Sequence, residues 1–252
     1  MITKGKSVCV FGVKGGTGKS TLVLNLAGIY SLLNKKVLVV DFDLNGGSIA
    51  LHTGKKIGKT IYNFADDYNN NRFDNIKSYV TKFNDNIDFL ACPKDPRQAN
   101  KIDSKYVNIL IEKAVFQYDV VLIDTSNQMD SIVLSILDKV DNILFNITND
   151  IYDLKNVRSV ISIFNDLNID KYKIVLNNSV HLNREVYSNY DIKNVIKSNI
   201  DYIISDKMHV KNNDDYVLNG LIITLDSKFK EKYKNDFKVL NLMATDTLKE
   251  SE

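Results

Sequence analysis

Residues 12 to 21 read Gly12-Val13-Lys14-Gly15-Gly16-Thr17-Gly18-Lys19-Ser20-Thr21. Glycines at 15, 16 and 18 let the backbone wrap closely round an anion with its N–H groups turned inward, and a helix starting behind the loop adds the positive end of its dipole. The chemistry implied is phosphate binding. Lys19 is expected to reach the β- and γ-phosphates of a nucleotide, and the Ser20 hydroxyl to ligate Mg²⁺, with Thr17 and Thr21 completing the cradle. The strict pattern G-x-x-x-x-G-K-[ST] fails at its first position, which falls on Val13.

A phosphate loop needs carboxylates that hold Mg²⁺ and position water, set at the C-terminal ends of neighbouring parallel strands. Two places supply them. In Val37-Leu38-Val39-Val40-Asp41-Phe42-Asp43 the aspartates alternate and so point the same way, and Asp43 lies 24 residues after Lys19. Asp43 is thus a candidate carboxylate facing the phosphates. Asp41 is either a second one or a cap of the following turn. In Tyr118-Asp119-Val120-Val121-Leu122-Ile123-Asp124-Thr125 an apolar run ends in Asp124, a Mg²⁺ ligand through water or else a strand-end surface aspartate.

These residues need a parallel sheet to bring them together, and apolar β-branched runs do alternate with helical patterns along most of the chain. Strands are expected at Ser7–Val13, Val37–Val40, Ile87–Ala91, Val120–Ile123, Ile143–Ile147, Ile174–Leu176 and Tyr202–Ile204. Helices are expected at Leu22–Leu33, Ser104–Phe116, Ile132–Leu137, Leu154–Leu167 and Ser227–Leu242. The predicted fold is an α/β three-layer sandwich with a mostly parallel twisted sheet of about seven or eight strands. Asp66–Arg72 reads as a loop and Asn178–Asn189 as a polar interruption. Residues 1–252 are expected to form one ATPase domain with a short polar tail at 244–252.

Lys14-Gly15-Gly16-Thr17-Gly18-Lys19-Ser20 resembles K-G-G-x-G-K-[ST], the deviant Walker A loop of the ParA/MinD family of P-loop ATPases. The aspartates of 41–43 resemble the family's D-x-D, which implies that Asp43 orients the attacking water and joins the metal shell and that Asp41 supports that shell, and Asp124 resembles the family's Walker B residue. The resemblance implies an ATP- and Mg²⁺-dependent ATPase in which Lys14 reaches the nucleotide of a second subunit. ATP binding would then create a homodimer, and slow hydrolysis would depend on it. After Asp124-Thr125 the chain departs from the family with Ser126-Asn127-Gln128, which puts the hydrolysis rate in question. Ile174-Val175-Leu176-Asn177 is similar to the family strand whose terminal Asn recognises adenine; Asn177 either does so or forms a turn. Asp43-Leu44-Asn45-Gly46-Gly47-Ser48 and Leu90-Ala91-Cys92-Pro93 look most like the CpaE/TadZ branch, which positions pilus and secretion machinery. The partners this implies are a protein that stimulates hydrolysis or is itself positioned.

Composition narrows the rest. With 33 Lys+Arg against 31 Asp+Glu, net charge does not by itself argue for nucleic acid or membrane. Nonspecific DNA remains a partner class through a patch formed in a dimer. Phe229, Tyr233, Phe237 and Leu240 fall at helical spacing among lysines, suiting either a membrane surface or a final helix packed on the sheet. Cys9 and Cys92 are expected in buried strands, and His52, His181 and His209 show no ligand spacing. The expected location is the cytoplasm, with nucleoid or membrane association when ATP is bound.

Overall fold

The computed structural model describes residues 4–180, 187–208, 216 and 219–249. Its centre is a sheet built from β1 (Lys6–Phe11), β2 (Val37–Phe42), β3 (Thr81–Lys82), β4 (Ile87–Leu90), β5 (Val120–Thr125), β6 (Asn142–Ile147), β7 (Tyr172–Asn177) and β8 (Tyr202–Ile204). The spatial order is β3-β4-β2-β5-β1-β6-β7-β8, every pairing being parallel except β3 with β4. All six residues of β2 and of β5 are buried, as strands covered on both faces require.

Side-chain alternation splits the core into two layers. Val8 and Val10 face α1 (Lys19–Leu32) and the C-terminal segment, with Phe229, Leu240 and Met243. Cys9 and Phe11 face the opposite layer. That layer is made by α2 (Ile61–Asn69), α4 (Lys105–Ala114), α5 (Ser131–Lys139), α6 (Ile151–Asp166) and α7 (Asn189–Ile196). The short α3 (Pro96–Ala99) is started by Asp95, whose side chain accepts from the Arg97 N–H. The three-layer α/β sandwich stands as expected.

Several local expectations need correction. The loop expected at Asp66–Arg72 is helical as far as Asn69: Thr60 and Asn63 form a capping box, and Ile61, Phe64 and Ala65 supply a buried stripe. The interruption at Asn178–Asn189 ends where Ser188 and Asp191 make a second capping box that starts α7. Residues 181–186 of that stretch lie outside the described residues, as do His181 and His209 and the side chain of His52. The single helix expected at Ser227–Leu242 is two, α8 (Ser227–Lys232) and α9 (Lys234–Leu248), parted at Tyr233. The polar tail expected from 244 is therefore helix through Leu248. Ala244 and Thr247 are buried, and the Thr247 hydroxyl is hydrogen-bonded to that of Tyr30.

The antiparallel strand β3 was not anticipated: two residues are too few to show alternation. Lys55 lies against it, its Nζ donating to the carbonyls of Lys82 at 2.6 Å and Phe83 at 2.9 Å.

Candidate functional site

Between β1 and α1 the chain makes a loop that only glycine permits at two points: Gly16 and Gly18 have φ of 73° and 84°. The loop is tied to itself. Thr17 Oγ1 donates to the Lys14 carbonyl at 3.3 Å, and Lys19 Nζ reaches the same oxygen at 3.4 Å. It is also held from the sheet. Asn146, fully buried in β6, donates from Nδ2 to the Thr17 carbonyl at 2.7 Å, and Asn177 at the end of β7 donates to the same oxygen at 3.1 Å. A Cβ at Gly12 would lie 2.6 Å from the Asn146 carbonyl oxygen, so the loop can sit against β6 only with glycine there. Gly15 and Gly16 are exposed and Thr21 is half-buried, with the free N–H groups of the first helical turn behind them.

Parallel pairing of β2 with β5 sets Asp41 opposite Asp124, and β1 sets Val10 beside Asp124. Asp124 is fully buried; its Oδ2 accepts from Ser20 Oγ at 2.5 Å, and its Oδ1 has no hydrogen-bond partner. Asp41, also fully buried, accepts from the Asp43 N–H and the Ile49 N–H, both at 3.2 Å, and thereby folds the loop that follows β2. Half-buried Asp43 accepts from the Gly46 N–H at 3.1 Å. A Cβ at Gly47 would lie 2.5 Å from an Asp41 oxygen and 2.4 Å from Cys92 Sγ, so this turn too requires glycine.

Burial dominates the electrostatics. It raises the Asp41 carboxyl to about 8, with the Asp124 charge adding to it, and raises Asp124 to about 7 against the lowering effects of Ser20 and Lys19. Burial lowers the Lys19 ammonium, and Asp124 and Asp43 oppose that. Burial also pushes the Cys92 thiol to about 12. Two buried carboxyls beside an orphaned oxygen are what a divalent cation would relieve. Ser20, Asp124 and Asp43 therefore fit Mg²⁺, which keeps water and phosphate in its shell. Among the described residues no group of three or more His, Cys, Asp or Glu could hold a metal unaided.

Lys14 stands at the rim with its side chain 37% exposed, its Nζ 3.1 Å from Asp150 Oδ1. Asp150 caps α6, accepting from the N–H groups of Tyr152 and Asp153, and the Asp153 N–H foremost holds its carboxyl below the usual range. Asn177 forms a turn, one of the two roles the sequence offers it: besides the Thr17 bond, its Oδ1 accepts from Ser179 N at 3.1 Å and Ser179 Oγ at 2.6 Å. Of the departure at Ser126-Asn127-Gln128, Ser126 is buried and exchanges hydrogen bonds with Gln128. Asn146 received no role from sequence, although an amide inside the apolar strand Asn142–Ile147 signals a buried polar contact.

Fold and site together define a P-loop nucleotide-binding protein. A family model described as AAA domain matches residues 5–181. The septum site-determining protein MinD of Helicobacter pylori is 29% identical over 150 residues, covering 60% of this chain and 55% of that protein. The chain thus matches little more than half the length of that relative. Among solved structures, a ParA family ATPase from Chlorobium tepidum superposes with a TM-score of 0.79 at 18% identity, covering 95% of this chain and 98% of the other. MinD from Pyrococcus horikoshii, complexed with Mg-ADP, gives 0.76 at 17% identity, covering 96% and 95%. The chain belongs to the ParA/MinD family of P-loop ATPases.

Proposed function

We propose that this chain is a nucleotide-dependent dimerising switch: it binds Mg-ATP, pairs with a second copy across the nucleotide, hydrolyses ATP slowly and thereby changes partners. The supporting observation is the convergence of Lys19, Ser20, Asp43 and Asp124 on one loop mouth, with a second lysine, Lys14, at its rim. The Mg-ADP held by the Pyrococcus relative agrees with the nucleotide and metal.

Each side chain has a chemical task. Lys19 and the loop N–H groups neutralise the phosphates. Asp43, the least buried of the three carboxylates, orients water toward the γ-phosphate, while Asp41 keeps the Asp43 loop folded. Mg²⁺, when bound, neutralises charge developing on the phosphates. Lys14 completes the site of the other copy, so ATP favours the pair and ADP releases it.

The output is the positioning of a macromolecular cargo through a protein that binds the paired form and stimulates hydrolysis. Pilus or secretion machinery, DNA and division proteins are the cargo classes carried over from the family resemblance. Phe229 and Leu240 are buried and Tyr233 and Phe237 pack against the same core, so this face of α8 and α9 covers the sheet. Lys228, Lys230, Lys232, Lys234 and Lys238 stay exposed, a basic edge open to an anionic partner, while the apolar face that would enter a lipid surface is already used in packing. Among the described residues no helix is long and apolar enough to cross a membrane.

Light scattering on the Asp43→Ala variant after size exclusion, in Mg-ATP and in Mg-ADP, tests the reading. A dimer in ATP alone is expected. A monomer in both nucleotides would overturn the switch.

A further inference from the structure

Two segments far apart in the chain meet backbone to backbone. The first runs on from Asp43. Past the turn at Gly46 and Gly47, the Ile49 N–H donates to Asp41, and a 3₁₀ turn, Ile49–Thr53, brings the chain to Gly54. The second is residues 219–225, where Gly220 lies against Gly54: a Cβ on Gly54 would stand 3.2 Å from the Gly220 Cα and 3.6 Å from its nitrogen. The two glycines have φ of 59° and 60°, the left-handed region that other residues enter at a cost. A side chain on Gly54 would be strained and crowded at once.

The second segment is fastened in turn to α1. Thr224, 2% exposed, donates from Oγ1 to the Asn25 carbonyl at 2.9 Å, and a Cβ on Gly28 would lie 2.1 Å from that same hydroxyl oxygen. Ile222 and Ile223 are buried in the layer that also holds Ile49. Since α1 begins at Lys19, residues 219–225 form a strap between the helix that carries the phosphate-facing lysine and the loop that carries Asp43. Asp43 is held by the Gly46 N–H within its own loop, so whatever fixes that loop fixes the carboxylate. Anchoring the far end of a loop removes conformers in which its side chains are misplaced.

Resting on the water-orienting role of Asp43 proposed above, we infer that Gly54 and Gly220 are positioning residues for hydrolysis: their contact pins the Asp43 loop to the strap on α1 and keeps the carboxylate aligned with phosphates seated at Lys19.

The test measures single-turnover hydrolysis at saturating ATP, together with ATP and ADP affinity, in Gly54→Ala, Asp43→Ala and the double variant. Gly58→Ala serves as control, since a Cβ there meets nothing within 4 Å. Gly54→Ala should slow hydrolysis about tenfold with both affinities unchanged, and Gly58→Ala should match the wild type. With Asp43 already replaced, Gly54→Ala should slow it no further, because both changes act on one group. A Gly54→Ala variant that turns over normally while Asp43→Ala does not would overturn the inference alone. So would an equal loss of rate with and without Asp43, or a loss of ATP affinity as large as the loss of rate, either of which marks a merely structural contact. If Gly54→Ala does not fold, Thr224→Val releases the other end of the strap and gives the same comparison. Normal turnover in Asp43→Ala overturns the water-orienting role and this inference with it, and a wild type that binds neither nucleotide overturns the nucleotide-binding reading itself.

Discussion

The two ends of the nucleotide cleft are built on opposite principles. At the phosphate end, β1, β2 and β5 bring Lys19, Ser20, Asp41, Asp43 and Asp124 together at strand ends adjacent in the sheet, joined by polar contacts that leave the buried Asp124 Oδ1 without a partner. At the base end, a cavity of about 250 Å³ beyond Gly18 and Thr21 is walled by Ile204, Met208 and Ile223, apolar side chains from distant parts of the chain. Charged phosphate admits few side-chain chemistries and tolerates little misplacement. A flat base needs mainly volume, which many residues can supply. The first end should therefore fail by loss of charge and the second by loss of shape.

Four substitutions and a titration separate the two, in falling order of effect. Lys19→Ala should weaken ATP and tripolyphosphate alike by about 100-fold, since a buried charge loses its partner. Asp43→Ala should cut turnover about 100-fold while leaving ATP affinity near wild type, as single-turnover and binding assays would show; normal turnover would remove Asp43 from water positioning. Gly28→Ala tests shape at the base end. Its Cβ would lie 2.1 Å from Thr224 Oγ1, so the variant should lose about 1–3 kcal/mol in denaturant unfolding and should bind ATP, not tripolyphosphate, more weakly.

Asn146→Ala frees the Thr17 carbonyl from its 2.7 Å bond and should weaken tripolyphosphate about tenfold by calorimetry, leaving the ATP-to-GTP ratio unchanged. The smallest effect is on pH. Asp41 and Asp124 keep their protons up to about 8 and about 7 in the folded chain, whereas the unfolded chain releases them near pH 4. The folded state binds more protons between those values, so stability of the nucleotide-free protein should fall as pH rises from 5 to 8. The melting temperature should drop by a few degrees over that range, and Mg-ATP should flatten the slope.

Legibility in the sequence followed the same divide. The loop glycines, Lys19 and the three aspartates were readable because phosphate chemistry fixes both residue type and spacing, and the buried strands because continuous apolar runs have few other uses. The helix Ile61–Asn69 was hidden by its Asn and Asp content, though the pair Thr60 and Asn63 marked its start. For Asn177 the sequence offers a base contact by family resemblance or a turn, and only the fold shows Ser179 making that turn and the Thr17 carbonyl taking one of its N–H groups.

The sheet ends in strands of two and three residues, and at the β3 end Lys55 occupies the carbonyls of Lys82 and Phe83. A stray extended segment seeking a ladder there meets an ammonium group instead of free acceptors. Open sheet edges brought together at high local concentration would seed irreversible aggregates. Capping that edge with a charge disfavours side-by-side pairing of copies through the sheet.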